Sequence, residues 1–543
     1  MRRPFTVIAL LAGLALAVPA QAQRPARPGQ PGQAAPSAQA PAAAPAMSDS
    51  GARQTRQPGA APGSDLREES SATEHSIRIG GQTIPYRATA ATMLLRNDSG
   101  APIGSLYYTA YTRTDVSDKS RRPLAFVYNG GPGSASAWLH MGAFGPRRVV
   151  TNDPSATPPA PYQLVDNASS LIDVADLVFI DPIGTGFSKP VGRGAGRDFW
   201  GLDEDAASLA QFVYAYVSRN GRWNSPKYLI GESYGTTRSA VLVNRLQSRE
   251  GMDFNGVVLI SSILDFETTS FAPGHDISYI MYLPSYAATA AYHNLIARPQ
   301  NLAAFLDEVR RFAMNEYADA LNKGSALGAE EAAAVRRRLA AYTGLSEDYL
   351  TRANLRVSLR QWMAELNRAR GQNTGRLDAR YTGPMLNLLT ESGEGDPQSR
   401  AVTGAYTSAI NAYLRDELRF GGDQRYSLSG GVQWNWNRAP AGGGPGSGGG
   451  GRNATPYVGG DLAQALISNP NLRVEVENGY YDMATPFFAT EYTMDHLGLP
   501  ADLRSHITMK YYEAGHMMYL REPDLVALKN NVAQFIASTS RGR

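Results

Sequence analysis

The sequence predicts an α/β fold built on a mainly parallel sheet, and three observations carry that prediction. Short apolar runs rich in β-branched and aromatic residues recur along the chain: Leu124–Asn129, Asp176–Asp181, Lys227–Gly231, Gly256–Ser262, Leu472–Asn478 and Ile507–Glu513. Four of these runs have continuous apolar centres, at Leu124–Tyr128, Leu177–Ile180, Tyr228–Ile230 and Val257–Ile260, as strands buried on both faces require. Helical patterns separate them, and parallel neighbours need a helix-length crossover between one strand and the next.

At 543 residues the chain exceeds one compact core of ordinary size, so a large domain with insertions or two domains must be expected. Hydrophobic residues make up 43% and charged residues 19%, which excludes a collagen-like or wholly disordered chain. The net charge is only +3 and no basic run suits phosphate binding, so nucleic acid is not an expected partner. Cysteine is absent, so the core must hold the fold without disulfides, and no lipid-anchored cysteine is available.

The first residues read as a secretory signal peptide over 1–22: Arg2 and Arg3, an apolar run from Phe5 to Val18, then Ala20, Gln21 and Ala22 as a small-x-small cleavage site. The apolar run is shorter than the roughly 20 residues a spanning helix needs, which argues against a membrane anchor. Cleavage after Ala22 implies an exported protein, periplasmic or secreted. Residues 23–70 are dominated by Pro, Ala, Gln and Gly and read as a disordered tether.

Residues 71–265 carry the first group of strand runs and 456–543 the last, so they read as two parts of one core. Between them, 266–455 switches to amphipathic helices and reads as a mainly helical cap insertion. Leu302, Phe305, Leu306, Val309 and Phe312 follow helical spacing, with Asp307, Glu308, Arg310 and Arg311 on the other face. Val335–Tyr342 and Leu359–Leu366 are further helical stretches. The Gly-rich stretch 439–451 predicts a flexible surface loop.

The chemistry is concentrated in four stretches. Gly231, Glu232, Ser233, Tyr234 and Gly235 form G-x-S-x-G directly after the strand Tyr228–Ile230, with a helix candidate over Thr236–Leu246. By chance alone such a pentapeptide is a common structural turn. The strand-to-helix context makes it a nucleophile elbow, in which a sharp turn exposes the serine and the glycines permit close backbone approach.

A serine hydroxyl needs a base, and the base an orienting group. Of seven histidines, His516 in EAGHMMY alone follows a strand into a loop, where α/β sheets place catalytic groups; His75, His140, His275, His293, His496 and His506 read as surface or packing residues. Asp482 likewise follows a strand, in VENGYYDMATP. The order Ser, Asp, His is that of the α/β-hydrolase fold. Asn129, Gly130, Gly131, Pro132, Gly133 and Ser134 form a glycine-rich loop after an early strand, where an oxyanion hole would find its backbone donors.

With NGGPGS, DPIGTGFS (Asp181 to Ser188), GESYG, NGYYDMATP and EAGHM in this order, the chain from about His75 onward resembles the serine carboxypeptidase family of the α/β-hydrolase superfamily, as a bacterial-type member. The resemblance implies Ser233 as nucleophile, His516 as base and Asp482 as its orienter, with the N–H groups of Gly131 and Tyr234 as oxyanion donors. It further implies that Asn129, Gly130 and Glu232 bind the substrate's free carboxylate. Two carboxylates in contact must share a proton, so activity on free-acid peptides is expected to favour acidic pH. Many family members place a second glutamate where this chain has Ala143, and Arg147 or Arg148 is a candidate replacement.

The resulting expectation is a serine-type carboxypeptidase acting on peptides through an acyl-enzyme, with no metal or cofactor. The same triad would serve an esterase or acyltransferase, and a secreted binding module with a vestigial site is a third reading.

Overall fold

The computed structural model describes residues 66–393, 395–438 and 455–540. The expected signal peptide, almost all of the expected tether and the Gly-rich loop lie outside the described residues.

Fourteen strands are described. They are β1 (Ser70–Ile79), β2 (Gln82–Arg96), β3 (Pro102–Arg113), β4 (Leu124–Tyr128), β5 (Arg147–Val149), β6 (Leu164–Asp166), β7 (Asp176–Ile180), β8 (Lys189–Pro190), β9 (Lys227–Glu232), β10 (Gly256–Ile260), β11 (Gln372–Thr374), β12 (Thr382–Pro384), β13 (Arg473–Gly479) and β14 (Ile507–Tyr512). The main sheet runs β1-β2-β3-β7-β4-β9-β10-β13-β14, with β8 paired to β3; β5-β6 and β11-β12 form separate two-stranded ribbons. From β7 to β14 every neighbouring pair is parallel.

The sheet is mixed, because β1, β2, β3 and β7 pair antiparallel. β1 and β2 meet across Gly80 and Gly81, both at positive φ, and a two-residue hairpin needs that backbone to match strand twist. Burial in β1 alternates, so polar residues face water on one side. The central strands β4, β7, β9 and β10 are buried at every position, as their apolar centres predict, and the burial extends to Asp176, Lys227 and Glu232 at strand ends.

Side chains of the central strands divide between two cores. Leu124, Phe126 and Tyr128 point into one, with Leu209 and Val213 of helix α1 (Leu202–Arg219) and Leu242 and Leu246 of helix α2 (Tyr234–Glu250). Ala125 and Val127 point into the other, against Leu528, Val532 and Ile536 of the helix Glu522–Thr539. Helices thus cover both faces of a largely parallel sheet, the architecture of the α/β-hydrolase fold.

Between β10 and β13 the chain runs mainly through helices. α3 (Ile277–Tyr292), α4 (Leu302–Phe312), Ala329–Thr343 and Leu359–Leu366 contribute Met281, Tyr286, Leu306, Val309, Leu339 and Trp362 to a third core, which also takes Tyr481, Met483 and Phe487 from beyond β13. α4 buries Leu306, Val309 and Phe312, and Asn301 Oδ1 caps it by accepting the Ala304 N–H. The helix Pro397–Ala412 packs instead on the second sheet core through Val402, Tyr406 and Ile410.

Candidate active site

The carboxyl ends of β4, β9, β13 and β14 lie close together along the sheet, and each leads into a loop holding a residue singled out by sequence. At the end of β9, Ser233 adopts φ 60° and ψ −129°, a backbone rarely open to a side-chain-bearing residue and the strained turn that projects a nucleophile. Its neighbours explain the pentapeptide. A Cβ on Gly231 would fall 2.3 Å from Gly235 O, and one on Gly235 would meet Tyr128 O at 3.1 Å.

The glycine-rich loop after β4 lies against this elbow. A Cβ on Gly130 would fall 2.4 Å from Tyr234 N and 2.7 Å from Gly235 N. Gly131 takes φ +105°, open only to glycine at low cost. Among the described residues, the N–H groups of Gly131 and Tyr234 donate to no partner. Two unpaired donors therefore stand at the serine, one of them at the N-terminus of α2, where the helix favours negative charge.

His516 and Asp482 meet as a pair, with His516 Nδ1 2.7 Å from Asp482 Oδ2. Both are buried. The carboxylate is fixed from four directions: Oδ1 accepts the N–H groups of Ala484 (2.7 Å) and Thr485 (3.0 Å), and Oδ2 accepts the Thr485 hydroxyl (2.7 Å) and the imidazole. With Nδ1 turned to Asp482, Nε2 is the nitrogen available for proton transfer. Burial acts first to weaken the hold of His516 on its proton, but Asp482 and then Glu232 outweigh it, with Arg376 opposing them. Its pKa therefore lies above the usual histidine value.

The serine and histidine loops are tied to one strand end. Ser233 N–H donates to Ile260 O at 2.9 Å, and the Ser261 hydroxyl donates to His516 O at 2.7 Å. Among the described residues Ser233 Oγ has no hydrogen-bond partner, and no hydrogen bond joins it to His516. Such bonds commonly tighten only when substrate binds.

Beside the serine, the Asn129 amide donates to Glu232 Oε1 at 2.8 Å and Asn129 Oδ1 accepts the Leu139 N–H at 3.0 Å. Glu232 Oε2 and the nearby Tyr519 hydroxyl are buried without a hydrogen bond. Burial pushes the Glu232 carboxyl up to about 7, against the opposing pull of His516, Tyr519 and Asn129. Arg238, fully buried and paired with Asp205 at 2.7 Å, donates to Asn129 O at 2.6 Å and so holds this loop from behind.

Ala143 is buried, and neither arginine near it in sequence is available to replace a glutamate. Arg147 pairs with Asp166 and Glu417, and Arg148 with Glu522. His140 is a packing residue, stacked on Phe179 and bonded to the Tyr111 hydroxyl. Sequence reasoning missed Tyr519 and Thr485. Both sit three residues after a singled-out residue, the only signal either carried.

The chain matches the serine carboxypeptidase family over residues 99–355. That span holds Asn129, Gly130, Gly131, Glu232, Ser233 and Tyr234, whereas Asp482 and His516 lie beyond it. No curated protein sequence matches the chain. Among solved structures it is similar to Kex1(delta)p, a prohormone-processing carboxypeptidase from Saccharomyces cerevisiae, at 16% identity and a TM-score of 0.49, covering 83% of this chain and 91% of that one. It is also similar to a proline iminopeptidase from Mycobacterium smegmatis, at 14% identity and a TM-score of 0.36, covering 83% and 98%. A juvenile hormone epoxide hydrolase from the silkworm Bombyx mori gives 14% identity and a TM-score of 0.31, covering 84% and 79%.

Proposed function

We propose that this chain, which over residues 99–355 belongs to the serine carboxypeptidase family, removes C-terminal residues from peptides through an acyl-enzyme on Ser233. The observation that carries the reading is the buried Asn129–Glu232 pair directly before that serine, with a carboxyl that stays largely protonated up to about pH 7. A neutral carboxyl can donate a hydrogen bond to a substrate carboxylate, where an ionised one would repel it. Asn129 and the Gly130 N–H add donors to the same pocket.

In this mechanism His516 Nε2 takes the Ser233 proton as Oγ attacks the last peptide carbonyl. The oxyanion is met by the N–H groups of Gly131 and Tyr234. His516 then gives the proton to the departing amino acid's nitrogen, and the C–N bond breaks. Water, deprotonated by the same imidazole, hydrolyses the ester and restores Ser233. Asp482 holds the ring and stabilises its cationic form throughout. The helices between β10 and β13 are proposed to cap the site and shape its side-chain pockets.

The N-terminal leader pattern supports an exported chain, and no described helix is long and apolar enough to cross a membrane. Mass spectrometry of a peptide mixture tests the activity. Stepwise loss of C-terminal residues is expected with the native chain and none with Ser233→Ala; internal cleavage, or no cleavage, would contradict it.

A further inference from the structure

The turn joining β11 to β12 crosses both loops that carry the acid and the base. Arg376 O accepts the Met483 N–H at 3.0 Å, and Ala379 N–H donates to Tyr481 O at 2.9 Å, so this turn brackets Asp482 on either side. Between those two bonds, Leu377 O accepts the His516 N–H at 2.7 Å. Asp378 Oδ2 accepts the N–H of Gly515 at 2.9 Å. Four hydrogen bonds from residues 376–379 thus fasten the two residues flanking the acid, the base itself and the residue before it.

Asp378 is fully buried and would be costly as a lone carboxylate. Arg380 answers it, with Nη2 2.6 Å from Asp378 Oδ2 and also 2.7 Å from Asp153 Oδ1, while Nη1 donates to Asp153 Oδ2 at 3.0 Å. Asp396 anchors the start of the turn by accepting the N–H groups of Arg376 (2.7 Å) and Leu377 (3.0 Å). Gly515 lies so close that a Cβ there would fall 2.4 Å from Asp378 Cβ. The side chain therefore holds the histidine loop by both a hydrogen bond and direct packing.

We infer that Asp378 is a positioning residue for the proposed His516–Asp482 pair, setting the imidazole by fixing the N–H of Gly515 from a turn braced by Arg380. The inference rests on the catalytic reading given above. Without this carboxylate the Gly515 N–H is buried and unpaired, and Arg380 keeps only Asp153. The loop can then relax, lengthening the contact between Nδ1 and Asp482. A displacement of about 1 Å at a reacting group is enough to cost on the order of 100-fold in rate.

The test uses the full chain, with active sites counted by end-point labelling of Ser233 with a fluorophosphonate, so that misfolded protein does not enter the rate. An N-blocked dipeptide and an acyl p-nitrophenyl ester serve as substrates. For Asp378→Ala, kcat per labelled site is expected to fall by about 100-fold with KM within about twofold. Asp378→Asn keeps an oxygen for Gly515 N–H but no charge for Arg380, and should lose about threefold to tenfold. The acidic limb of kcat/KM should also move to lower pH. Asp482 and Glu232 raise the proton affinity of His516 and Arg376 lowers it, and a loosened Asp482 contact weakens the strongest of the raising influences.

A kcat per labelled site within twofold of the native chain, with an unmoved acidic limb, would overturn the positioning role. Should Asp378→Ala fail to fold, Asp378→Asn and Gly515→Ala decide the matter on the same two readouts. A native chain that neither takes the label nor turns over either substrate would instead overturn the catalytic reading, and with it the pair Asp378 is inferred to position.

Discussion

Asn129 and Glu232 are joined by a 2.8 Å hydrogen bond that occupies Oε1 and leaves Oε2 buried without one. A carboxyl in that state favours its protonated form, because burial penalises the charge by more than His516, Tyr519 and Asn129 relieve it. Its hydrogen can then be directed at an incoming anion.

The pH dependence follows with a definite sign. Below about pH 7 Glu232 is mainly neutral and can donate to a substrate carboxylate; above it the two anions repel. KM for a free-acid peptide should therefore rise as pH climbs past 7, and the Glu232→Gln variant should flatten that rise. His516 must be neutral to act as base, and its raised pKa suppresses kcat/KM on the acid side. Steady-state kinetics from pH 5 to 9 check both limbs.

The same carboxyl affects stability. Its folded pKa of about 7 exceeds the ordinary glutamate value of about 4.5. Between those values the folded chain holds a proton that the unfolded chain has released, so the Glu232 contribution to stability declines as pH rises through this window and levels off above it. Urea denaturation at pH 5 and pH 8 should show a smaller loss for Glu232→Gln than for the native chain.

Removing the proposed triad groups should leave the fold and abolish the rate. Ser233→Ala and Asp482→Asn are each expected to lower kcat by on the order of 10⁴ or more. Circular dichroism with ester and peptide kinetics checks both parts of that expectation.

Gly130→Ala should act through the backbone. Its Cβ cannot coexist with Tyr234 N at 2.4 Å, so the loop must retreat and separate the two oxyanion donors. Loss of one such donor costs about 10²–10³ in kcat. Fluorophosphonate labelling should slow in parallel.

Asp205→Ala would leave the guanidinium of Arg238 buried without its ion-pair partner. Breaking a buried pair in this way costs about 3–5 kcal/mol. Denaturant midpoints report the loss of stability, and weakened binding of free-acid peptides would accompany it, because Arg238 also supports Asn129 O.

The central parallel strands were legible because burial on both faces demands a continuous apolar centre, and β4, β10 and the interiors of β7 and β9 comply. The Ser, Asp and His loops were legible from strand ends and order. The β1–β3 ribbon was not, since its alternating polar residues resemble loop in a search for apolar runs. The grip of Asp378 on Gly515 was beyond reach for another reason: it spans 137 residues of sequence and depends on how the turn docks. The carboxyl of Glu232 was legible as a motif position, whereas its upward shift needs the burial that only the fold supplies.

The most direct measurement compares kcat/KM, at pH 6, for one N-blocked peptide as its free acid and as its C-terminal amide, with the native chain and Glu232→Gln. A strong preference of the native chain for the acid, reduced in the variant, is the predicted result. Equal hydrolysis of acid and amide by the native chain would contradict recognition of a terminal carboxylate at Asn129 and Glu232.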